Sequence, residues 1–141
     1  MTESVINYTK ANVYDRAVSF IIDHIIITFI WGLSSFLISG SDMLESDFDP
    51  TGLRNTMLGT IPFILLLYFC KDLLYGKSPG RWLMGIMVRT EESYQLPSKK
   101  QLFIRNLYLV IWPIEYLVLA ASEDNKRWGD EKANTVVVYT P

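Results

Sequence analysis

The sequence predicts an all-α membrane protein: two transmembrane helices, a Pro-broken third helical segment that either spans or re-enters, an interfacial helix and a small cytoplasmic two-stranded sheet. Three observations predict it. Apolar residues fall in three blocks, 17–38, 57–75 and 102–121, with polar connectors between them. Each block is close to the roughly 20 apolar residues that a spanning helix needs. Charge is segregated as well. The connector 39–55 carries Asp42, Glu45, Asp47 and Asp49 against Arg54, whereas 76–101 carries Lys77, Arg81, Arg89, Lys99 and Lys100. That Lys/Arg bias predicts the second connector and the N-terminus on the cytoplasmic side of a membrane, with the first connector outside. Finally, 50% of the 141 residues are hydrophobic, the mean hydropathy is +0.19 and the length suits one domain.

Residues 1–12 form a polar tail without periodicity, expected to be mobile, ahead of a single membrane domain over 13–141. The first helix is predicted over about 14–38. Arg16 and Asp23 are seven apart and share a face, about 10 Å apart along the axis. That rise is long for a direct ion pair. Arg16 is therefore expected to snorkel to the headgroups, with Asp23 facing other helices. An acid inside a span costs about 2.5–3.5 kcal/mol on insertion scales and is by default a functional candidate. His24 points elsewhere and reads as a satisfied polar neighbour. With one His and one Cys (Cys70) in the chain, no metal site or disulfide is expected.

In the acidic outer connector, Asp49-Pro50-Thr51-Gly52 reads as a turn, and the acids lack calcium-loop spacing. The second helix is predicted over about 55–75, with Pro62 in its outer half. Lys71 at its inner end is placed to reach headgroups, and Asp72 to accept from a basic group of the following loop. Gly76-Lys77-Ser78 invites a phosphate-loop reading, but that loop needs a Gly at position 71, where Lys stands. Ser78 and Pro79 are instead an N-cap and a first helical residue, opening an interfacial helix over about 79–84 that Gly85 ends. The run 86–90 reads as a strand and 91–94 as a turn.

The third helical segment, about 98–121, opens with Ser98 as N-cap and contains Arg105-Asn106, then Trp112-Pro113-Ile114-Glu115. A Pro and an acid at mid-depth suggest irregular backbone, which hydrocarbon tolerates only where it is buried in protein or lines a cavity. The β-branched run 135–138 suits pairing with 86–90, which requires both on one side of the membrane. The tail bases Lys126, Arg127 and Lys132 favour the same side. A segment broken at Trp112-Pro113 and partly re-entrant satisfies both, leaving the C-terminus cytoplasmic.

These residues also carry a resemblance. Arg16 with Asp23, the stretch Gly76-Lys77-Ser78-Pro79-Gly80-Arg81-Trp82-Leu83-Met84-Gly85, and Arg105-Asn106 followed by Arg127-Trp128-Gly129-Asp130 with Thr135-Val136-Val137 resemble the RDD family of small bacterial integral membrane proteins, named for one Arg and two Asp. By this likeness Asp130 is the second named Asp, and Arg16, Asp72, Arg105, Asn106, Arg127 and Asp130 are the motif's polar residues, with Ser78, Pro79 and Gly80 its structural turn. The chain departs in two places, with Arg81 for the usual Lys and Asn134 for the Gly before Thr135. Asn tolerates the left-handed conformation that Gly would supply.

The family implies little about activity: some members resemble cation/proton antiporters, and no enzymatic reaction attaches to the family as a whole. The first functional expectation is a monovalent cation/proton exchanger acting as a homo-oligomer. Asp23 and then Glu115 are its ion- or proton-binding carboxylates, and Arg16 and Asp130 organise the cytoplasmic mouth. The alternative is a non-catalytic membrane subunit or scaffold that binds a partner protein or anionic lipid. Nothing suggests a catalytic residue, a cofactor or nucleic-acid binding.

Overall fold

The computed structural model describes residues 8–43 and 50–141. Its elements run α1 (Val13–Met43), α2 (Pro50–Cys70), α3 (Pro79–Leu83), β1 (Ile86–Thr90), α4 (Lys99–Leu107), a 3-10 turn (Tyr108–Ile111), α5 (Trp112–Ala121), α6 (Trp128–Lys132) and β2 (Thr135–Tyr139). Three helical segments, Val13–Gly40, Pro50–Cys70 and Lys99–Ala121, are long and apolar enough to cross a membrane. The chain is thus mostly helical, with one small sheet.

The outer parts of α1 and α2 carry their apolar side chains outward. Phe36, Leu37 and Ile38 on α1 and Leu58, Phe63 and Leu66 on α2 are about half or more exposed, and α2 buries no residue fully. In water such surface would be untenable at this extent; it is what a helix shows to lipid or to another helix. The two helices meet through Trp31, whose indole N–H donates to Thr60 at 2.8 Å.

Packing tightens at the other end. β1 and β2 pair antiparallel, Ile86 opposite Tyr139 through Thr90 opposite Thr135. Both faces of this sheet are covered: Ala11, Ile86 and Val137 pack on one, Met87, Val136 and Val138 on the other. Residues 8–12 are not a free tail. The Ala11 N–H donates to the Val137 carbonyl and the Tyr139 N–H to the Thr9 carbonyl, so this short segment extends the sheet along β2. Ala11 is small enough to be buried there, a feature its polar neighbours disguise. The segment before α1 and the strand after α6 therefore lie at the same end of the molecule.

Several boundaries differ from expectation. Pro50, Thr51 and Gly52 begin α2 and do not form a turn, because Pro is well suited to a first helical position; residues 44–49 of that connector lie outside the described residues. At its other end α2 stops at Cys70, not near 75. Tyr75 (φ 57°) and Gly76 (φ 70°) swing the chain so that the Gly76 carbonyl accepts from Val88 N–H at 2.9 Å. Ser78 caps α3 and Ser98 forms a full capping box with Gln101, as the sequence suggests. Asn134 adopts the left-handed conformation (φ 50°).

The third apolar segment is not a rod. A straight helix over 99–121 would run about 33 Å, yet both of its arms touch the five-residue α6. A Cβ built on Gly129 would lie 2.4 Å from the Arg105 carbonyl oxygen and 3.3 Å from Glu115 Oε2. The chain turns back through the 3-10 turn and Ile111 (φ −106°, ψ 38°). The break comes one turn earlier than Trp112-Pro113. Pro113 sits in the first turn of α5, where its missing N–H costs nothing.

Candidate functional site

Where α1, the end of α2, α3, α4, α5 and α6 converge, nine ionisable side chains are buried together. Arg16, Lys71, Arg81, Arg105 and Arg127 supply the bases, and Asp23, Asp72, Glu115 and Asp130 the acids, all at most 6% exposed. Buried charge is tolerable only when paired and hydrogen-bonded, and the pairing is dense.

Asp23 on α1 accepts from three donors: Lys71 Nζ at 2.8 Å, Ser78 Oγ at 2.6 Å and the Gly80 N–H at 2.8 Å. Two of these come from the start of α3, so Asp23 acts as a cap supplied by a different helix. Its carboxylate meets the unsatisfied N–H groups and positive dipole end of α3. The approach requires glycine. A Cβ on Gly80 would stand 2.0 Å from the Ser19 carbonyl oxygen. Lys71 does not reach for headgroups as expected, because Asp23 holds its side chain inside, 5% exposed, over the Phe20 ring. Burial lowers the Lys71 ammonium to about 8, even with Asp72 and Asp23 beside it.

Asp130, at the start of α6, is bound by three arginines. Arg16 Nη2 donates to one oxygen, and Arg105 Nε (2.5 Å) and Arg127 Nη2 (3.4 Å) to the other. The Arg127 N–H adds a bond at 3.2 Å. Burial pushes the Asp130 carboxyl up, but Arg105, Arg16 and Arg127 outweigh it and hold it well below the usual carboxylate range. Arg16 is thus buried and does not snorkel; its other contact is the Asn125 carbonyl. The sequence reading excludes an Arg16–Asp23 pair, and in the structure each has its own partners.

Arg105 continues the chain of charges. Its Nη1 donates to Asp72 at 3.1 Å, and Arg81 holds the other Asp72 oxygen. Asp72 is therefore ion-paired with a base that follows it in sequence, Arg81 of α3. Burial raises its carboxyl, and Arg81, Lys71 and Arg105 bring it below the ordinary range. Asn106 Nδ2 donates to the Phe69 carbonyl at 3.1 Å, tying α4 to the last turn of α2. Arg127 links the lattice to Glu115, with Nε 3.9 Å from Oε2, which also accepts from the Gly129 N–H at 3.3 Å. Glu115 Oε1 is buried with no partner.

The structure thus brings Arg16, Asp72, Arg105, Arg127, Asp130 and Glu115 into one connected set, with Asp23 in an adjoining one. Lys71, Arg81 and the Gly80 N–H are the members that sequence reasoning did not assign to it. A hint existed in Ser19 and Gly80, the small residues that let α3 approach α1. His24 meets the Tyr68 hydroxyl through Nδ1, outside the lattice. Among the described residues, no three His, Cys, Asp or Glu side chains are grouped to hold a metal ion.

Chemically, the lattice is a set of saturated carboxylates with one loosely held acid at its edge. In comparisons with known proteins, residues 10–134 match the RDD family. No curated protein and no solved structure matches the chain.

Proposed function

The chain belongs to the RDD family, and on that premise we propose that it is a non-catalytic bacterial inner-membrane subunit, holding a cytoplasmic platform rigidly against the bilayer for a partner. In this reading α1 and α2 span, the third segment re-enters from the cytoplasmic side, and both termini are cytoplasmic. Lys77, Lys99, Lys100, Lys126 and Lys132, in the segments that flank the two strands in sequence, support that orientation. The outward apolar faces of α1 and α2 suit a second copy of the chain, giving a homo-oligomer.

One observation carries the proposal. Asp23, Asp72 and Asp130 have both carboxylate oxygens engaged by cations or backbone donors. A carboxylate that exchanges Na⁺ for H⁺ needs an oxygen to offer. These three have the geometry of struts. They fix α3 and α6, and through them the sheet, to the membrane helices. Reconstitution in liposomes with an internal pH dye, challenged with Na⁺, Li⁺ and K⁺, tests this. The proposal expects proton movement no faster than in empty liposomes, and cation-dependent flux overturns it.

A second reading rests on Glu115. Its unpartnered Oε1 and distant Arg127 contact leave it the acid freest to bind a proton or a monovalent cation. If flux is seen, Glu115→Gln is expected to abolish it in a protein that still folds, because Asp130 keeps its own partners. Asp23 ranks behind Glu115 here, since removing it uncaps α3.

A further inference from the structure

We infer that the cleft around Phe20, between α1, α2 and the folded third segment, binds a planar, carbonyl-bearing lipophile of the quinone class. Two adjoining cavities of about 240 and 340 Å³ lie there, sharing Phe20, His24 and Trp112 in their walls. Tyr68 and Phe69 complete one wall and Tyr116 the other, so six rings frame the space. Phe20 is its divider, with ring centroids 5.8 Å from Trp112 and 4.9 Å from Tyr116. Rings supply five of the eight residues lining one cavity and four of the six lining the other, and such a lining suits a flat π-face better than a saturated chain. One volume lies below and the other at the lower edge of the range for small-molecule sites, suited to a ring head whose tail leaves into lipid.

His24 supplies the polar handle. It lies one residue beyond Asp23 within α1, yet its side chain is exposed. An ionisable side chain in a span normally faces protein or a cavity and finds a partner. One ring nitrogen, Nδ1, meets the Tyr68 hydroxyl; the other has no partner among the described residues. A ligand carbonyl accepting from that nitrogen satisfies it, which hydrocarbon cannot do. The inference needs the chain to lie in a bilayer and is independent of whether ions cross it.

Decylubiquinone titrated into the full chain in phosphatidylethanolamine/phosphatidylglycerol nanodiscs, followed by tryptophan quenching, tests it. Saturable quenching is expected, with the saturable component lost in Trp112→Phe. His24→Phe, which fills the same space without a donor, is expected to weaken affinity about tenfold, the value of one hydrogen bond of about 1.4 kcal/mol. His24→Gln, which restores a donor, is expected to stay within about threefold of wild type. Circular dichroism confirms that the variants fold. Quenching that rises linearly, as simple partitioning or displacement by bilayer lipid gives, overturns the inference. So does a saturable component indifferent to His24→Phe or to Trp112→Phe.

Discussion

Replacing Asp130 with Asn keeps the shape of the side chain and removes the charge that three buried guanidinium groups share. Breaking one buried ion pair typically costs 3–5 kcal/mol, because a charge stays buried without its partner. Here the consequences are unequal. Arg105 keeps Asp72 at 3.1 Å and Arg127 keeps Glu115 at 3.9 Å, but Arg16 is left with the Asn125 carbonyl alone. One fully orphaned arginine and two weakened ones place the loss at about 4 kcal/mol. For a chain of this size that is on the order of 10 °C in melting temperature, at about 3 °C per kcal/mol. Thermal unfolding of the purified protein in one fixed detergent measures it. Adding Arg16→Gln to Asp130→Asn is expected to recover about 2 kcal/mol, since the orphan charge is gone, and a double-mutant cycle reads that coupling. Asp124→Asn is the control: its bond to Lys10 lies at an exposed, solvent-screened pair, so the melting temperature is expected to stay at the wild-type value. The sign with pH also follows. Asp130 titrates below its unfolded value of 3.8, so its contribution is complete above pH 4 to 5. It is lost as pH falls through the lower folded value. An Asp130→Asn protein within about 1 kcal/mol of wild type at pH 7 refutes the reasoning.

Two further predictions concern α3. Gly80→Ala drives a methyl group into the Ser19 carbonyl at 2.0 Å, so α3 must leave α1; a loss of about 3 kcal/mol is expected in the same melt, and an unchanged melting temperature contradicts the packing. Lys71 is expected to titrate near pH 8 by NMR of dimethylated lysines, well apart from the exposed lysines. Because its folded value lies below the unfolded 10.5, the unfolded chain binds more protons between these values. Stability is therefore expected to rise by on the order of 3 kcal/mol from pH 8 to 10.5. Lys71 titrating with the surface set rules out its burial beside Asp23.

Local pattern made much of the fold legible. Ser78-Pro79, Ser98 and the β-branched run from Thr135 act within a few residues of themselves, so caps and strands can be read where they stand. The three apolar blocks are equally local. Pairings were harder to read. Arg16 and Asp130 are 114 residues apart and meet only because the third segment doubles back and delivers α6 to the foot of α1. A lysine at the end of an apolar block looks like a snorkelling anchor; nothing near Lys71 in sequence shows that Ser78 and Gly80 will hold an acid against it. Ala11 was obscured for a related reason, since its role in the sheet depends on β2 at the far end of the chain. Pro113 marked the right region for the break but not the residue. Proline suits the start of a helix, so the irregular turn falls just before it.

Only because the third segment doubles back do α6 and Asp130 reach Arg16. Side-specific labelling of single cysteines, in a Cys70→Ser background, tests that most directly. With a membrane-impermeant maleimide on right-side-out vesicles, Thr51→Cys at the start of α2 is expected to react, and Asn12→Cys and Thr140→Cys to react only after the membrane is opened. Labelling of Thr140→Cys from outside in intact vesicles would mean that the segment crosses and does not double back.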